Sequence, residues 1–117
     1  MKKSIRVVYR EPNGFPEVRT VEDQTKLDGF RNLLHGGYLE AVPFGKKLAQ
    51  FSLYCDEEGK LKGLAPNLSY PSDVVVGPIF VAGTIDSQGY HNDLSDEDIR
   101  VIESEIHTHS IFYVGVE

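Results

Sequence analysis

Cysteine is nearly missing from this sequence. The one thiol, Cys55, cannot form an internal disulfide, and no cluster of histidine or cysteine at zinc-site spacing accompanies it. Unpaired thiols are typical of proteins in a reducing compartment. The sequence therefore predicts a cytoplasmic protein with no structural zinc.

Long apolar runs are also absent. No stretch approaches the roughly 18 apolar residues of a membrane-spanning helix. The opening MKKSIRVVYREP is interrupted by Arg6 and Arg10 before it reaches the length of a signal-peptide core. We expect a soluble protein with no membrane partner.

Basic residues are scarce in the second half of the chain. Residues 1–58 carry nine Lys or Arg and nine Asp or Glu, whereas residues 59–117 carry three and nine, so the net charge of -6 falls in that half. Binding to nucleic acid rests on cations that neutralise phosphates. The charge distribution therefore argues against a nucleic-acid partner.

The length and composition are those of one folded domain. The chain has 117 residues, of which 40% are apolar and 26% charged, which suffices for one core and not for two. We predict a single domain over residues 1–117, in which residues 103–117 can form a C-terminal extension or an oligomerisation arm.

The first third of the chain predicts a hairpin and a helix. Ser4–Tyr9 and Glu17–Val21 are β-prone and flank a turn at Asn13–Gly14. A helix capped by Asp23 or Thr25 then extends to Gly36–Gly37, a pair suited to ending it. Its apolar positions recur every three or four residues: Leu27, Phe30, Leu33 and Leu34.

The middle of the chain predicts further strands. Tyr38–Phe44 and Leu48–Cys55 form a second hairpin, in which Pro43 marks an edge strand or its end. The prolines, asparagine and serines of Ala65–Ser72 predict a loop. The run Ile79–Ile85 is apolar on both faces and predicts a central strand.

A second helix opens at Ser95. Ser95 and Asp98 have the spacing of a capping box, and isoleucines at positions 99, 102 and 106 form an apolar stripe. The order of elements predicts an α+β domain with a mainly antiparallel sheet and both helices packed on one face.

Several ordered motifs resemble a family of small uncharacterised proteins from phages, plasmids and other mobile elements of Gram-positive bacteria. These motifs are GGYLEAVPF, DEEGKLKGLAPN, VVVGPIFVAG and LSDEDI, and the resemblance covers roughly residues 4–102. The family implies a setting in a bacterial host and a fold, but no activity. The tail from Glu103 onward lies outside it.

The candidate ligand-binding residues surround the predicted loop. Lysine, amide and phenol groups there can recognise a phosphate and stack on a base, although Asn67 can equally cap the loop and the lysines can be solubilising charges. The Gly36–Gly37 turn beside Tyr38 can form an anion nest, which helix termination also explains. The candidate set is Lys60, Lys62, Asn67, Tyr70, Gly36, Gly37 and Tyr38.

Metal and nucleophile chemistry is weakly represented. His107 and His109 can present two ligands to a metal, but a third would have to come from His91, His35 or a distant carboxylate. Interaction of both with the negative end of the second helix is the favoured alternative. Acidic neighbours of Cys55 disfavour a thiolate nucleophile, and Asp56–Gly59 reads as a solvated turn rather than a cation site.

These observations favour recognition over catalysis, because no nucleophile with a base, no phosphate loop and no complete metal set is visible. We predict a non-enzymatic, cofactor-free accessory protein that binds a ligand and sequesters a nucleotide-derived host immune signal. The alternative is an acidic module that inhibits a host defence protein through Asp96, Glu97 and Asp98. A small metal-dependent enzyme is the third hypothesis, and Ser110–Glu117 is predicted to support self-association.

Overall fold

The computed structural model of the chain describes residues 1–70 and 73–113, except for the side chain of Tyr70. Within these residues, seven strands and two helices follow one another. Their bounds are β1 Ile5–Arg10, β2 Glu17–Val21, α1 Leu27–Leu33, β3 Leu39–Val42, β4 Ser52–Asp56, β5 Pro66–Tyr70, β6 Asp73–Val76, β7 Ile79–Ala82 and α2 Asp96–His109.

The sheet topology confirms the predicted fold class. Five strands form a sheet in the order β2-β1-β7-β4-β3, and every neighbouring pair is antiparallel. Strand β7 is central, as its two apolar faces predicted, and both predicted hairpins are present. Strands β5 and β6 form a separate antiparallel pair. The protein is an α+β domain with a mainly antiparallel sheet.

The two helices cover opposite faces of the large sheet, so the prediction that both pack on one face is wrong. Val7 and Tyr9 of β1 join a cluster with Phe30 of α1. Val8 points the other way and joins Ile102 of α2. Because β1 and β7 are apolar on both faces, each face needs its own cover.

Helix α2 begins as the capping box predicted. The Ser95 hydroxyl accepts the Asp98 N–H, and the Asp98 carboxylate accepts the Ser95 N–H, both at 3.0 Å. The three isoleucines of its apolar stripe are all buried. No helix among the described residues is long and apolar enough to cross a membrane.

Helix α1 differs from the prediction at its start. Its N-cap is Lys26, which makes no side-chain cap. Asp23 instead accepts the N–H and the hydroxyl of Thr25, so neither predicted cap is used. Its end agrees with the prediction, because Gly36 has a φ of 86° and its N–H donates to Arg31 O at 2.8 Å.

Strand β5 lies where the sequence predicted a loop. Pro66 faces Val76 and Leu68 faces Val75, so Asn67 is the extra residue of a bulge. The loop prediction is wrong because it weighed the polar and proline content of the segment. The buried side chain of Asn67 bonds to backbone on both sides, which fixes the segment as a bulged strand.

Arg10 and Asn67 form a fully buried pair. Arg10 Nη1 donates to the Asn67 backbone oxygen at 2.6 Å and to Oδ1 at 2.7 Å. The Asn67 amide nitrogen donates to Arg10 O at 2.9 Å and to Gly77 O at 2.8 Å. Both side chains have no exposed surface. The pair therefore joins β1 of the large sheet to the small sheet.

The same arginine also holds the chain after α2. Arg10 Nη2 donates to Ile111 O at 3.1 Å, and Ile111 N–H donates to Asn67 O at 2.8 Å. Residues 110–113 thus pack against their own chain. The remainder of the predicted oligomerisation arm, residues 114–117, lies outside the described residues.

Replacing Asn67 tests this buried pair. Asn67→Ala removes a hydrogen bond to a charged group and leaves Gly77 O without its donor, so we expect a loss of about 3 kcal/mol in unfolding free energy, measured by urea denaturation. Asn92→Ala is the control, because the amide of Asn92 donates to Thr84 on the surface, and we expect a change within about 0.5 kcal/mol. Equal losses in the two variants would contradict the assignment.

Candidate functional site

The structure separates the predicted ligand-binding residues. Asn67 is enclosed and all its polar side-chain atoms are bonded within the chain, which favours its structural role. The side chain of Tyr70 lies outside the described residues. Lys60 lines a cleft, whereas Lys62 pairs with Asp56, whose carboxylate stands beside Gly37. Among the residues whose side chains are described, Lys60 and Lys62 therefore do not share one site.

Lys62 is held by a buried carboxylate. Lys62 Nζ lies 2.7 Å from Asp56 Oδ2, and the Asp56 side chain is 3% exposed. Burial opposes the ionisation of Asp56, but hydrogen bonds from Lys62 and from the Glu58 N–H outweigh it, so the pKa of Asp56 is lowered. The sequence had predicted that Asp56 belongs to a solvated turn. For Asp56 this prediction is wrong, because its side chain is buried and paired with Lys62.

The Gly36–Gly37 turn also has its groups engaged. Gly36 N–H donates to Arg31 O and Gly37 N–H to Leu34 O, whereas an anion nest would need free N–H groups. Arg31 donates to Gly36 O at 2.6 Å and places its guanidinium 4.1 Å from the centroid of the Tyr38 ring. Tyr38 and Arg31 form an exposed cation–π pair on this surface.

A cleft of about 700 Å³ lies between β3 and β6. Its volume is within the range of small-molecule and peptide sites. Valines of β6 and the Val42–Pro43 segment give it apolar walls, and charged side chains stand around them. The lining residues are Glu40, Ala41, Val42, Pro43, Gly45, Cys55, Asp56, Glu57, Lys60, Leu61, Asp73, Val74, Val75 and Val76.

The charge around the cleft is predominantly negative. Lys60 is the cation among its lining residues, and it pairs with Asp73 at 2.6 Å. Within the described part of the chain, Glu40 and Glu57 have no cationic partner. Two carboxylates therefore remain available to a cationic ligand.

Cys55 also borders the cleft but is a poor nucleophile. Its side chain is buried, and its Sγ lies 3.8 Å from Glu40 Oε1. Burial first, and the neighbouring Glu40 charge second, raise the pKa of Cys55 to about 12. A thiol with this pKa holds almost no thiolate near neutral pH.

Strand β3 presents an open edge to the cleft. It is the last strand of the large sheet, and Glu57 N–H donates to Tyr38 O at 2.9 Å on its β4 side. Hydrogen bonds alternate along an antiparallel pair, so Glu40 also bonds to β4 while Leu39 and Ala41 point their backbone groups outward. Those outward groups meet no partner in residues 1–70 or 73–113.

The histidines considered for a metal site lie apart and have other contacts. His109 bonds to Glu105 Oε1 at 2.8 Å and to Ser69 O at 3.0 Å, whereas the ring of His107 stacks with Phe15 at 6.4 Å. His91 is enclosed and contacts Gly83 O. Across the described residues, no group of three or more His, Cys, Asp or Glu could hold a metal ion.

Sequence reasoning missed the residues that give the cleft its character. Glu40, Glu57 and Asp73 were not among the candidates, because they are far apart in the sequence and come together only when β3 faces β6. One signal did point here: Pro43 marked its strand as an edge strand or its end. An edge strand is where another chain can add to a sheet.

A family model described as a domain of unknown function, DUF3846, matches residues 5–107. The chain belongs to this family. The expected membership of an uncharacterised family is thus confirmed, and the match extends to residues 103–107, which the sequence resemblance had excluded. No curated protein and no solved structure matches the chain.

The two lysine pairs provide a test of the electrostatics beside the site. Lys62→Met leaves buried Asp56 without its cation, whereas the control Lys60→Met leaves Asp73 in water, where such a pair contributes little. We expect Lys62→Met to lower the urea midpoint at pH 7 and Lys60→Met to leave it nearly unchanged.

The pH dependence follows from the lowered pKa of Asp56. A carboxyl with a depressed folded-state pKa stabilises the protein above its unfolded pKa, which is about 4, and that stabilisation disappears as the pH falls through the folded value. The gap between wild type and Lys62→Met should therefore be widest at pH 7 and narrow below pH 4. A gap that is independent of pH would contradict the ion pair.

Proposed function

Since the family carries no known activity, we propose from the cleft that the protein is a non-enzymatic binding protein. The cleft between β3 and β6 combines apolar walls, about 700 Å³ of space and carboxylates at its border. Binding sites commonly pair a largely apolar surface with a few polar groups that orient the ligand. This combination is the observation that supports the proposal.

The ligand group that fits the cleft is cationic or uncharged. Among the described residues, Glu40 and Glu57 have no cationic partner, whereas Lys60 is already paired with Asp73. A ligand cation would complement the two glutamates, and like charges would be repelled. The charge of the cleft thus selects the ligand class.

Capture of a nucleotide-derived immune signal becomes the second version of this proposal. Its phosphates would meet the carboxylates of the cleft. At the Gly36–Gly37 turn, the guanidinium of Arg31 already contacts Gly36 O and the Tyr38 ring, and Lys62 is bound to Asp56. A protein partner therefore fits the cleft better than a polyphosphate does.

The setting in phages or other mobile elements of a bacterial host remains a prediction from sequence resemblance. Within it, the partner would be a host defence protein. The acidic first turn of α2 is a weaker contact surface than the cleft, because Asp96 pairs with Arg6, Glu97 with Arg100, and Asp98 with the Ser95 N–H. In the cleft, by contrast, Glu40 and Glu57 have no cationic partner among the described residues.

Filling the cleft tests the proposal. We expect cationic probes, spermidine and an arginine amide, to raise the melting temperature, because a ligand at about a hundredfold over its Kd adds about 2.7 kcal/mol to stability. Cyclic dinucleotides and ADP-ribose should give no shift. Val74→Trp, at a cleft position that is 38% exposed, should remove the shift.

Val18→Trp is the matched control. Val18 is 43% exposed and lies on β2, at the opposite edge of the sheet, so this variant should respond to the cationic probes as the wild type does. A shift that survives Val74→Trp would show that the cleft is not the site. Stabilisation by the nucleotides and not by the amines would reverse the assigned ligand class.

A further inference from the structure

We propose that the cleft receives an extended, basic peptide segment of a partner protein, which adds as a sixth strand to the open edge of β3. This inference rests on the proposed binding function and names its ligand. It joins two independent features of the same place, judged over the residues that the structure describes: backbone groups along β3 that have no hydrogen-bond partner, and carboxylates beside them that have no cationic partner.

The backbone of β3 supplies the first feature. Leu39 and Ala41 direct their N–H and C=O groups away from β4, because the bonds to β4 use the alternate residues, Tyr38 and Glu40 among them. An extended segment laid beside β3 would pair with these groups. Peptide recognition by strand addition draws its affinity from such main-chain bonds.

The dimensions of the edge fit a short segment. Four residues of β3, each with a rise of about 3.4 Å, give a pairing length of roughly 13 Å. Pro43 ends the edge at one side, because it has no N–H to donate. Val74 and Val76 on the far wall offer apolar contacts to the side chains of the inserted strand.

The charge of the cleft selects the segment. Glu40 stands on β3 itself, so a lysine or arginine opposite it on the added strand would lie near a carboxylate that has no cationic partner in the described residues, and Glu57, one strand further away at the end of β4, adds to the negative charge. Side chains of opposite charge that face each other on neighbouring strands stabilise the strand pairing, whereas side chains of like charge destabilise it. A basic segment is therefore favoured over an acidic one.

Like charge disfavours a second copy of this chain on β3. Two β3 strands pairing antiparallel would place the Glu40 residues of both copies close together, with no cation between them. Like-charge contacts of this kind are a common protection of sheet edges against self-association. The occupant we infer is thus a different chain with complementary charge.

The test uses labelled ten-residue peptides and the full-length protein. A peptide that alternates lysine and valine should bind, measured by fluorescence anisotropy, and a peptide that alternates glutamate and valine should bind at least tenfold more weakly. Glu40→Gln should weaken binding of the lysine peptide. Equal affinities for the two peptides would overturn the charge assignment.

Methylation of peptide nitrogens tests the strand addition itself. Two lysine–valine peptides are compared, one methylated on every second N–H and the other on the remaining set. Only one set can face β3, so one peptide should lose at least tenfold in affinity while the other keeps it. Equal binding by both peptides, or loss by both, would overturn pairing along one edge.

A protein variant gives the complementary measurement. Ala41→Pro removes an outward N–H without removing a bond to β4 and should abolish binding, whereas Ala41→Val retains the N–H and should bind as the wild type does. Thermal unfolding reports whether the proline variant is folded, and the methylated peptides decide the question if it is not. Undiminished binding to folded Ala41→Pro would contradict the proposal.

The outcomes separate this inference from the function on which it rests. If the amine probes bind in the cleft and the lysine peptide does not, the peptide inference is wrong and the binding function stands. If the peptide binds Val74→Trp as well as wild type while that variant removes the amine shift, the peptide inference is wrong and the binding function stands; if the amine shift also survives in Val74→Trp, both are wrong. A wild-type protein that is dimeric in solution, with the β3 edge covered, would also overturn the inference.

Discussion

The rest of the structure depends on the enclosure of one charged side chain. Arg10 lies at the end of β1 with no exposed surface, and carbonyl and amide oxygens, rather than a carboxylate, accept its hydrogen bonds. A buried charge is costly unless its donors are satisfied. The acceptors come from Gly14 in the following turn and from Asn67 and Ile111, so satisfying one guanidinium draws two distant segments to the first hairpin.

This constraint positions the candidate site. Asn67 belongs to β5, and β5 carries β6 with it, so the bonds between Arg10 and Asn67 fix the small sheet against the large one. Val75 of β6 then packs into the same cluster as Val8 and Ile102. On its other side, β6 lines the cleft and faces the edge of β3. The position of the small sheet therefore accounts for both features: the buried bonds between Arg10 and Asn67, and the cleft that β6 forms with the edge of β3.

Local pattern was sufficient for much of the fold. The helix of α2, its capping box and the central strand β7 follow from spacing and capping chemistry that act over a few residues. Contacts between distant residues were not visible in the same way. The prolines and the asparagine of Ala65–Ser72 indicated a loop, because no pattern in the neighbouring residues shows that Asn67 will form hydrogen bonds with Arg10. The candidate ligand-binding residues were wrongly grouped for the same reason. Lys60 and Lys62 are two positions apart in the sequence, but they pair with carboxylates in different surroundings.

Amide hydrogen exchange of the free protein tests the central claim most directly, because that claim is an open β3 edge bordering the cleft. Hydrogen-bonded amides in a strand are protected, whereas unpaired ones exchange readily. Glu40, which bonds to β4, should exchange slowly, and its neighbours Leu39 and Ala41 should exchange quickly. Protection of all three amides would contradict the account, because it would mean that another part of the chain already covers the edge.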